Sequence, residues 1–177
     1  KILELRGLPA SLLIKIVHAY GGILGPAHPY GEKFMSMITT TMRKEKYKEK
    51  ITALMPQFDF VEIYNACENE ETNAKARKLA EEYGKPGFGG SDAHRLDCIG
   101  MAYSEFPDTV RSEDDLIAFV KTCPTIECGG THYERTTKGK IGKLNEVVVD
   151  SFYVYNKMAN GWRGRKRRRE LDSIIEN

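Results

Sequence analysis

The sequence predicts an α/β fold with a largely parallel sheet and helical crossovers. Short β-branched or aromatic runs alternate along the chain with segments whose apolar residues recur at helical spacing. The helical segments are long enough to return the chain to the start of a neighbouring strand, as parallel pairing requires. With 177 residues, 41% of them hydrophobic, the chain can bury one ordinary core.

Two helical and two strand-like segments are predicted in the first part of the chain. A helix is predicted from Pro9 to Tyr20, because apolar side chains recur every three or four residues and a glycine pair follows. A buried strand is predicted at Ile23 to Gly25, where a proline ends it. The segment from Gly31 to Met55 has a helical pattern with lysines on its outer face. A second strand is predicted over the aromatic and β-branched run Phe58 to Tyr64.

The alternation continues after this strand. A helix is predicted from Glu70 to Tyr83, closed by Gly84, and it is followed by a short strand from Gly87 to Ser91. The next helix is predicted from Ser112 to Thr122, since a serine with an acidic residue three positions later is typical of a helix start. The last strand is predicted at Thr125 to Cys128.

The C-terminal segment from Asn145 to Asn177 is helical in pattern, with predicted interruptions at Gly161 and Gly164. It contains the basic run Arg163 to Arg169. Across the whole chain, however, 27 basic residues face 25 acidic residues, and a net charge of +2 gives no global electrostatic argument for a nucleic-acid partner.

Cysteine usage and hydropathy bear on the cellular location. The four cysteines form no Cys-x-x-Cys pair, so we expect reduced thiols and a cytoplasmic protein. No apolar run approaches the roughly 20 residues that cross a bilayer, and no membrane association is expected.

Three polar residues follow predicted strands. Asp92 and His94 are two positions apart, so an extended backbone would project both side chains the same way, and His28 follows another strand. The carboxyl ends of parallel strands meet at one edge, where α/β proteins bind ligands. Imidazole and carboxylate donors suit Mn²⁺, Fe²⁺ or Zn²⁺. From the pattern alone, a solvated turn and an ordinary loop histidine are equally good explanations.

The positions of three further polar residues also allow predictions. Arg95 directly follows His94 and is a candidate for contact with a substrate phosphate, although an ordinary surface arginine fits as well. His18 is predicted to lie on a helix surface, and His132 in a solvated loop.

Three segments resemble the later motifs of the PHP (polymerase and histidinol phosphatase) family in order and spacing. They are GGILGPAHPYG, FDFVEIYNA and GKPGFGGSDAHRLDCIGMAYSEF, within roughly residues 8 to 131. The resemblance implies the C-terminal portion of a distorted (β/α)7 TIM-like barrel. It also implies metal-dependent hydrolysis of phosphate mono- or diesters by metal-activated water, with up to three divalent ions (Mn, Zn or Fe). The implied substrate is a phosphorylated small molecule or a nucleotide.

The same resemblance assigns roles to individual residues. His28, Asp92 and His94 fall on family metal ligands and are therefore the candidate catalytic residues. Glu62 and Asn65 match a Glu-x-x-Asn strand, for which a supporting role is expected rather than direct ligation.

The chain also departs from the family pattern. It has four histidines and no Asp-x-His-x-His strand, so we expect the N-terminal half of the barrel to be a missing partner and this fragment alone to be inactive. The implied domains are residues 1–144, the C-terminal part of the barrel, and residues 145–177, a helical basic tail.

Two other functions stay open. One is a non-catalytic module that binds nucleic acid or a protein partner through Arg163 to Arg169, next to Trp162. A like-charged tail is the commoner explanation of such a run. The other is an amidohydrolase-like metal hydrolase, which would cleave C–N bonds. The sequence identifies neither the substrate nor the metal.

Overall fold

The structure is a computed structural model, and it divides the chain into two compact units. One is Gly21–Thr136, and the other combines Lys1–Tyr20 with Thr137–Asn177. The predicted domain boundary after residue 144 stays a prediction. The residues that the structure describes are 8–31, 36–38, 49, 52–133, 151, 154–155, 158–159 and 161–166.

The unit with the chain's first residues contains helix α1, Ala10–Ala19. Proline cannot donate a backbone hydrogen bond but suits a helix start, and the Pro9 carbonyl accepts the first bonds from the amides of Leu12 and Leu13, both at 3.0 Å. The prediction of this helix is confirmed. Of its side chains, Ile14 is buried.

In the same unit, every described residue between 151 and 166 is helical. Residues 161–166 are continuously helical, so the predicted interruption at Gly164 is wrong, and Gly161 is itself helical. A glycine costs a helix about 1 kcal/mol relative to alanine, which weakens a helix without ending it. Gly164 is buried, so it occupies a place where its lack of a side chain permits close packing.

The other unit is built around a parallel strand pair. Strand β1, Val61–Asn65, is joined to strand β2, Gly87–Gly90, by helix α2, Glu70–Glu82. Val61 lies opposite Gly87, and an irregularity in the pairing follows Glu62. These three elements form a β-α-β crossover. Their predictions are confirmed, although β1 begins three residues later than predicted.

Helix α2 has clear signals at both ends. The side chain of Asn69 accepts a hydrogen bond of 2.8 Å from the Thr72 amide, which caps the first turn. At the other end Gly84 adopts a φ of 57°, the left-handed conformation that glycine tolerates best. The helix is therefore fixed in length by local sequence, and it returns the chain to the start of β2.

A second, antiparallel pair was not predicted. Strand β3, Ala102–Ser104, pairs with β4, Cys128–Gly130, and helix α3, Glu113–Lys121, connects them. The sheet prediction is thus right for β1 and β2 and wrong for this pair. Each strand has only three residues, too few to establish an alternating pattern. The last strand also starts three residues later than predicted.

The predicted strand at Ile23 to Gly25 is wrong. These residues have no regular secondary structure, although the segment runs beside β1. The Leu24 carbonyl accepts from the Asp59 amide at 2.8 Å, and the Pro26 carbonyl accepts from the Glu62 amide at 3.2 Å. Pro26 has no amide hydrogen to return, so a regular ladder cannot form. Most of the predicted helix from Gly31 to Met55 lies outside the described residues.

Aromatic rings connect the elements of this unit. Phe60 contacts Phe88 with a centroid distance of 4.4 Å, Phe88 contacts Phe106 at 5.7 Å, and Phe106 contacts Phe119 at 6.3 Å. The row of rings links the residue before β1 to strand β2 and then to helix α3. The buried apolar residues of the unit are Met55, Phe58, Val61, Ala66, Ala76, Leu79, Ala80, Ala102, Val120 and Ile126.

The fold is therefore mixed α/β, with a small parallel sheet and helices, as predicted at that level. None of the four cysteines, all of which lie in the described part, forms a disulfide. Within the described ranges no helix has both the length and the apolar character needed to span a bilayer.

Candidate metal centre

His28 lies in a tight turn next to the parallel strands. Its φ of 29° is unusual for a residue with a side chain. The turn is closed by a hydrogen bond of 2.9 Å from the Gly31 amide to the His28 carbonyl. The His28 amide donates to Oε2 of Glu62 at 2.5 Å. A carboxylate on β1 thus fixes the backbone of the first predicted ligand.

Glu62 lies between two of the predicted ligands. Burial raises the pKa of its carboxyl group, and the negative charge of Asp92 raises it further, while hydrogen bonds from Asn65 and the His28 amide lower it. Gly90 makes room for this arrangement, because a side chain there would collide with Oε1 of Glu62. Glu62 on β1 therefore contacts the His28 backbone, and its carboxyl group lies near enough to Asp92 to be influenced by that charge.

Asn65 supports this carboxylate and is only 1% exposed. Its Nδ2 donates to Oε2 of Glu62 at 3.1 Å, and its Oδ1 accepts from the Cys67 amide at 2.8 Å. Its backbone is held in turn by Asn73 of α2, which bonds both the amide and the carbonyl of Asn65. These contacts have the geometry that a supporting role for Glu62 and Asn65 requires.

Asp92 and His94 follow β2 in a turn. Asp92 has a φ of 49°, so the expected extended backbone is wrong, and the two side chains approach one another through the turn instead. Nδ1 of His94 lies 3.8 Å from Oδ1 of Asp92 and 2.9 Å from its carbonyl oxygen. The Asp92 side chain is 22% exposed and the His94 side chain 84%. His94 is thus accessible to solvent, whereas the Asp92 side chain is largely covered.

Tyr133 holds the turn that carries these two residues, and the sequence analysis missed it. Its hydroxyl donates to the carbonyl of Ser91 and lies 3.4 Å from that of Cys98. Burial, and then the neighbouring thiols of Cys67 and Cys98, raise the pKa of the Tyr133 phenol well above its usual value, so the hydroxyl stays a donor at neutral pH. A single tyrosine after a glycine pair carries no pattern from which this contact could be predicted.

The donors present fit a divalent metal in kind. Nδ1 of His28 is buried without a hydrogen-bond partner in the described structure, an arrangement that usually marks a missing ligand or water. The carboxylate of Glu68, a residue only 6% exposed, borders Gly31 on the same side as this nitrogen. Among the described residues, however, no group of three or more His, Cys, Asp or Glu side chains is placed to hold a metal ion. The described residues do not form a metal site by themselves.

The remaining candidates lie at the edges of this site. Arg95 is engaged by Asp97, with Nε to Oδ1 at 3.0 Å and a terminal nitrogen to Oδ2 at 2.5 Å, so a phosphate would have to compete for it. His132 is not simply solvated, because its ring stacks on Tyr64 with centroids 5.2 Å apart. His18 is exposed on α1, as predicted.

The fold and these residues define a mixed α/β protein with candidate metal ligands beside a parallel strand pair, two of them after the carboxyl end of β2. Residues 70–122 match the family described as PHP-associated. The matched segment includes Asp92 and His94, and the match is consistent with the resemblance to the C-terminal part of a PHP domain. No curated protein and no solved structure matches the chain.

Proposed function

We propose that this chain carries part of the active site of a metal-dependent phosphoesterase. The observation that supports this proposal most strongly is the position of Glu62, whose carboxylate accepts a hydrogen bond from the His28 amide 34 positions away in sequence. Asp92 and His94 follow the carboxyl end of β2, the edge where α/β proteins bind ligands. The PHP-associated segment agrees with this class of reaction.

His28, Asp92 and His94 are the residues that would hold the divalent ion, which is Mn²⁺, Zn²⁺ or Fe²⁺ by donor type. When bound, such an ion acts as a Lewis acid toward a phosphate ester and lowers the pKa of a coordinated water. No serine or cysteine nucleophile is required.

The charge of the site supports the need for a cation. Glu62 and Glu68 place two carboxyl groups near His28, and the charge of Asp92 acts on Glu62. Without a cation, ionised carboxylates would repel a phosphate dianion, whereas a divalent ion reverses the local charge. Glu62 would then keep His28 in place, and Arg95 would contact substrate only after exchanging its partner Asp97.

Metal binding tests the ligand assignment directly. Titration of the natural full-length protein with Mn²⁺ in a calorimeter should show binding that Asp92→Asn weakens by more than the roughly 10- to 100-fold typical of supporting residues. Asp108→Asn, at an exposed turn position, is the matched control and should bind like the parent. Equal affinity of the parent and Asp92→Asn would contradict the assignment.

Hydrolysis tests the reaction class. In the natural full-length protein, Asp92→Ala should abolish metal-dependent cleavage of phosphate esters. Retained cleavage at full metal occupancy would remove Asp92 from the site. A panel of phosphomonoesters, phosphodiesters and cyclic amides separates this reaction from that of an amidohydrolase-like enzyme, which would act on the amides alone.

A second candidate function is nucleic-acid binding by the C-terminal helix. Trp162 is 64% exposed, and Arg163, Arg165 and Lys166 next to it are exposed as well. Exposed aromatic and basic side chains are the groups that contact bases and phosphates. Residues 167–169 of the basic run lie outside the described part.

This second function predicts an affinity for RNA or DNA that falls as salt rises. Replacing Arg163, Arg165 and Lys166 with alanine should remove most of it. The same substitution in the first two lysines of α2, Lys75 and Lys78, is the control for a general loss of positive charge. An affinity that is equal in the parent and the triple variant would contradict the proposal.

A further inference from the structure

The turn after β2 has an unusual backbone that neighbouring groups must hold. Asp92 has a left-handed φ of 49°, which a residue with a β-carbon rarely adopts without support. The thiol of Cys67 lies 3.7 Å from the Asp92 carbonyl oxygen. Residues 91–94 form no helix or strand, so regular backbone pairing does not supply this support.

Tyr133 closes a circuit of hydrogen bonds around this turn. The Ala66 amide donates to the Gly90 carbonyl at 3.1 Å, and the Ala66 carbonyl accepts from the Tyr133 amide at 3.1 Å. The Tyr133 hydroxyl then donates to the carbonyl of Ser91. These hydrogen bonds therefore link the end of β2 to Ala66, Ala66 to Tyr133, and Tyr133 to Ser91, the residue before Asp92.

This circuit suggests a role for a residue to which no function was assigned. We propose that Tyr133 is a positioning residue for the candidate metal centre, where its hydroxyl fixes the Ser91 carbonyl and thereby the direction of the Asp92 carboxylate. The inference rests on the proposed function. The contact joins residues 42 positions apart, so it also fastens the loop after β4 to the edge of the parallel pair.

Tyr133→Phe tests this role, because it removes the hydroxyl and keeps the ring. We expect Mn²⁺ affinity to fall about 10-fold, the lower end of what supporting residues contribute. Hydrogen–deuterium exchange should become faster in residues 91–101, while exchange in α2 stays at the parent's rate. Tyr103→Phe, at a half-exposed tyrosine on β3, is the matched control and should change neither measurement.

Two results would overturn the inference. One is Tyr133→Phe with the parent's metal affinity and the parent's exchange in residues 91–101. The other is faster exchange across the whole unit with unchanged affinity, which would mean that the hydroxyl serves overall stability alone. If the natural full-length protein binds no metal, the proposed function fails, and the exchange measurement still decides whether Tyr133 holds the turn.

Discussion

At the scale of single residues, one carboxylate organises the candidate site. Glu62 accepts hydrogen bonds from the His28 amide and from Asn65, and the missing side chain of Gly90 leaves room for it. Each of these contacts is at least partly buried. A polar group that loses its partner in such a place costs more than its hydrogen bond contributed, because water cannot fully replace the partner.

The first prediction concerns this carboxylate. Glu62→Ala leaves the His28 amide and Asn65 Nδ2 without their acceptor and should lower the free energy of unfolding by about 1–3 kcal/mol. Urea unfolding measures this loss. Glu81→Ala, at an exposed position of α2, is the control and should stay within about 0.5 kcal/mol of the parent. Equal loss in both variants would show that the Glu62 contacts do not form in solution.

The residue scale also shows what sequence could and could not predict. His28, Asp92 and His94 could be proposed as ligands because they belong to short motifs, although the strand predicted before His28 is wrong and their role stays a prediction. The left-handed backbone of Asp92 could not be predicted, since it depends on Tyr133 and Cys67, which are distant in sequence and meet the turn only in the folded chain.

At the scale of elements, local sequence signals predict the helices well and the short strands poorly. Each of the helices α2 and α3 is preceded by a residue whose side chain accepts a hydrogen bond from a backbone amide of the first turn. This residue is Asn69 for α2 and Ser112 for α3. Capping is encoded within four residues, so it is readable from sequence. The pairing of β3 with β4 is not local, because Ala102 lies opposite Gly130 and α3 separates the two strands.

The second prediction tests the cap of α3. Ser112 accepts from the Asp115 amide at 3.1 Å, so Ser112→Ala should lower the free energy of unfolding by about 1 kcal/mol. Ser112→Gly should cost only a few tenths, because glycine is itself acceptable at this position. Thermal unfolding of the three proteins at neutral pH provides the measurement. Identical stability of Ser112→Ala and the parent would refute the cap.

This cap also carries a pH dependence. A hydrogen bond from Ser112, followed by one from the Arg111 amide, lowers the pKa of the Asp115 carboxyl group below its ordinary value of 3.8. The ionised form is thus the one favoured by folding, and its stabilising effect is present above that value and lost as the pH falls through the lowered pKa. The stability difference between the parent and Ser112→Ala should shrink in acid, as pH-dependent unfolding would show.

At the scale of the whole molecule, the hydrogen bonds described around the candidate site all lie within the unit Gly21–Thr136. The PHP-associated segment covers Asp92 and His94, whereas His28, Glu62 and Tyr133 lie outside residues 70–122. These hydrogen bonds therefore join the matched segment to the chain on both sides of it. A ligand that binds at this site should stabilise the unit as a whole, because an unfolded chain has no assembled site.

The third prediction follows from that coupling. An ion that binds only the folded protein stabilises it by about 2.7 kcal/mol at 100 times its dissociation constant, so Mn²⁺ should raise the unfolding temperature and a chelator should reverse the rise. Mn²⁺ is a better probe than Zn²⁺, because cysteines of the unfolded chain bind it weakly. Differential scanning calorimetry of the parent and Asp92→Asn gives the comparison, with Asp108→Asn as the control. The rise should be lost in Asp92→Asn alone, and an equal rise in all three proteins would place the ion elsewhere.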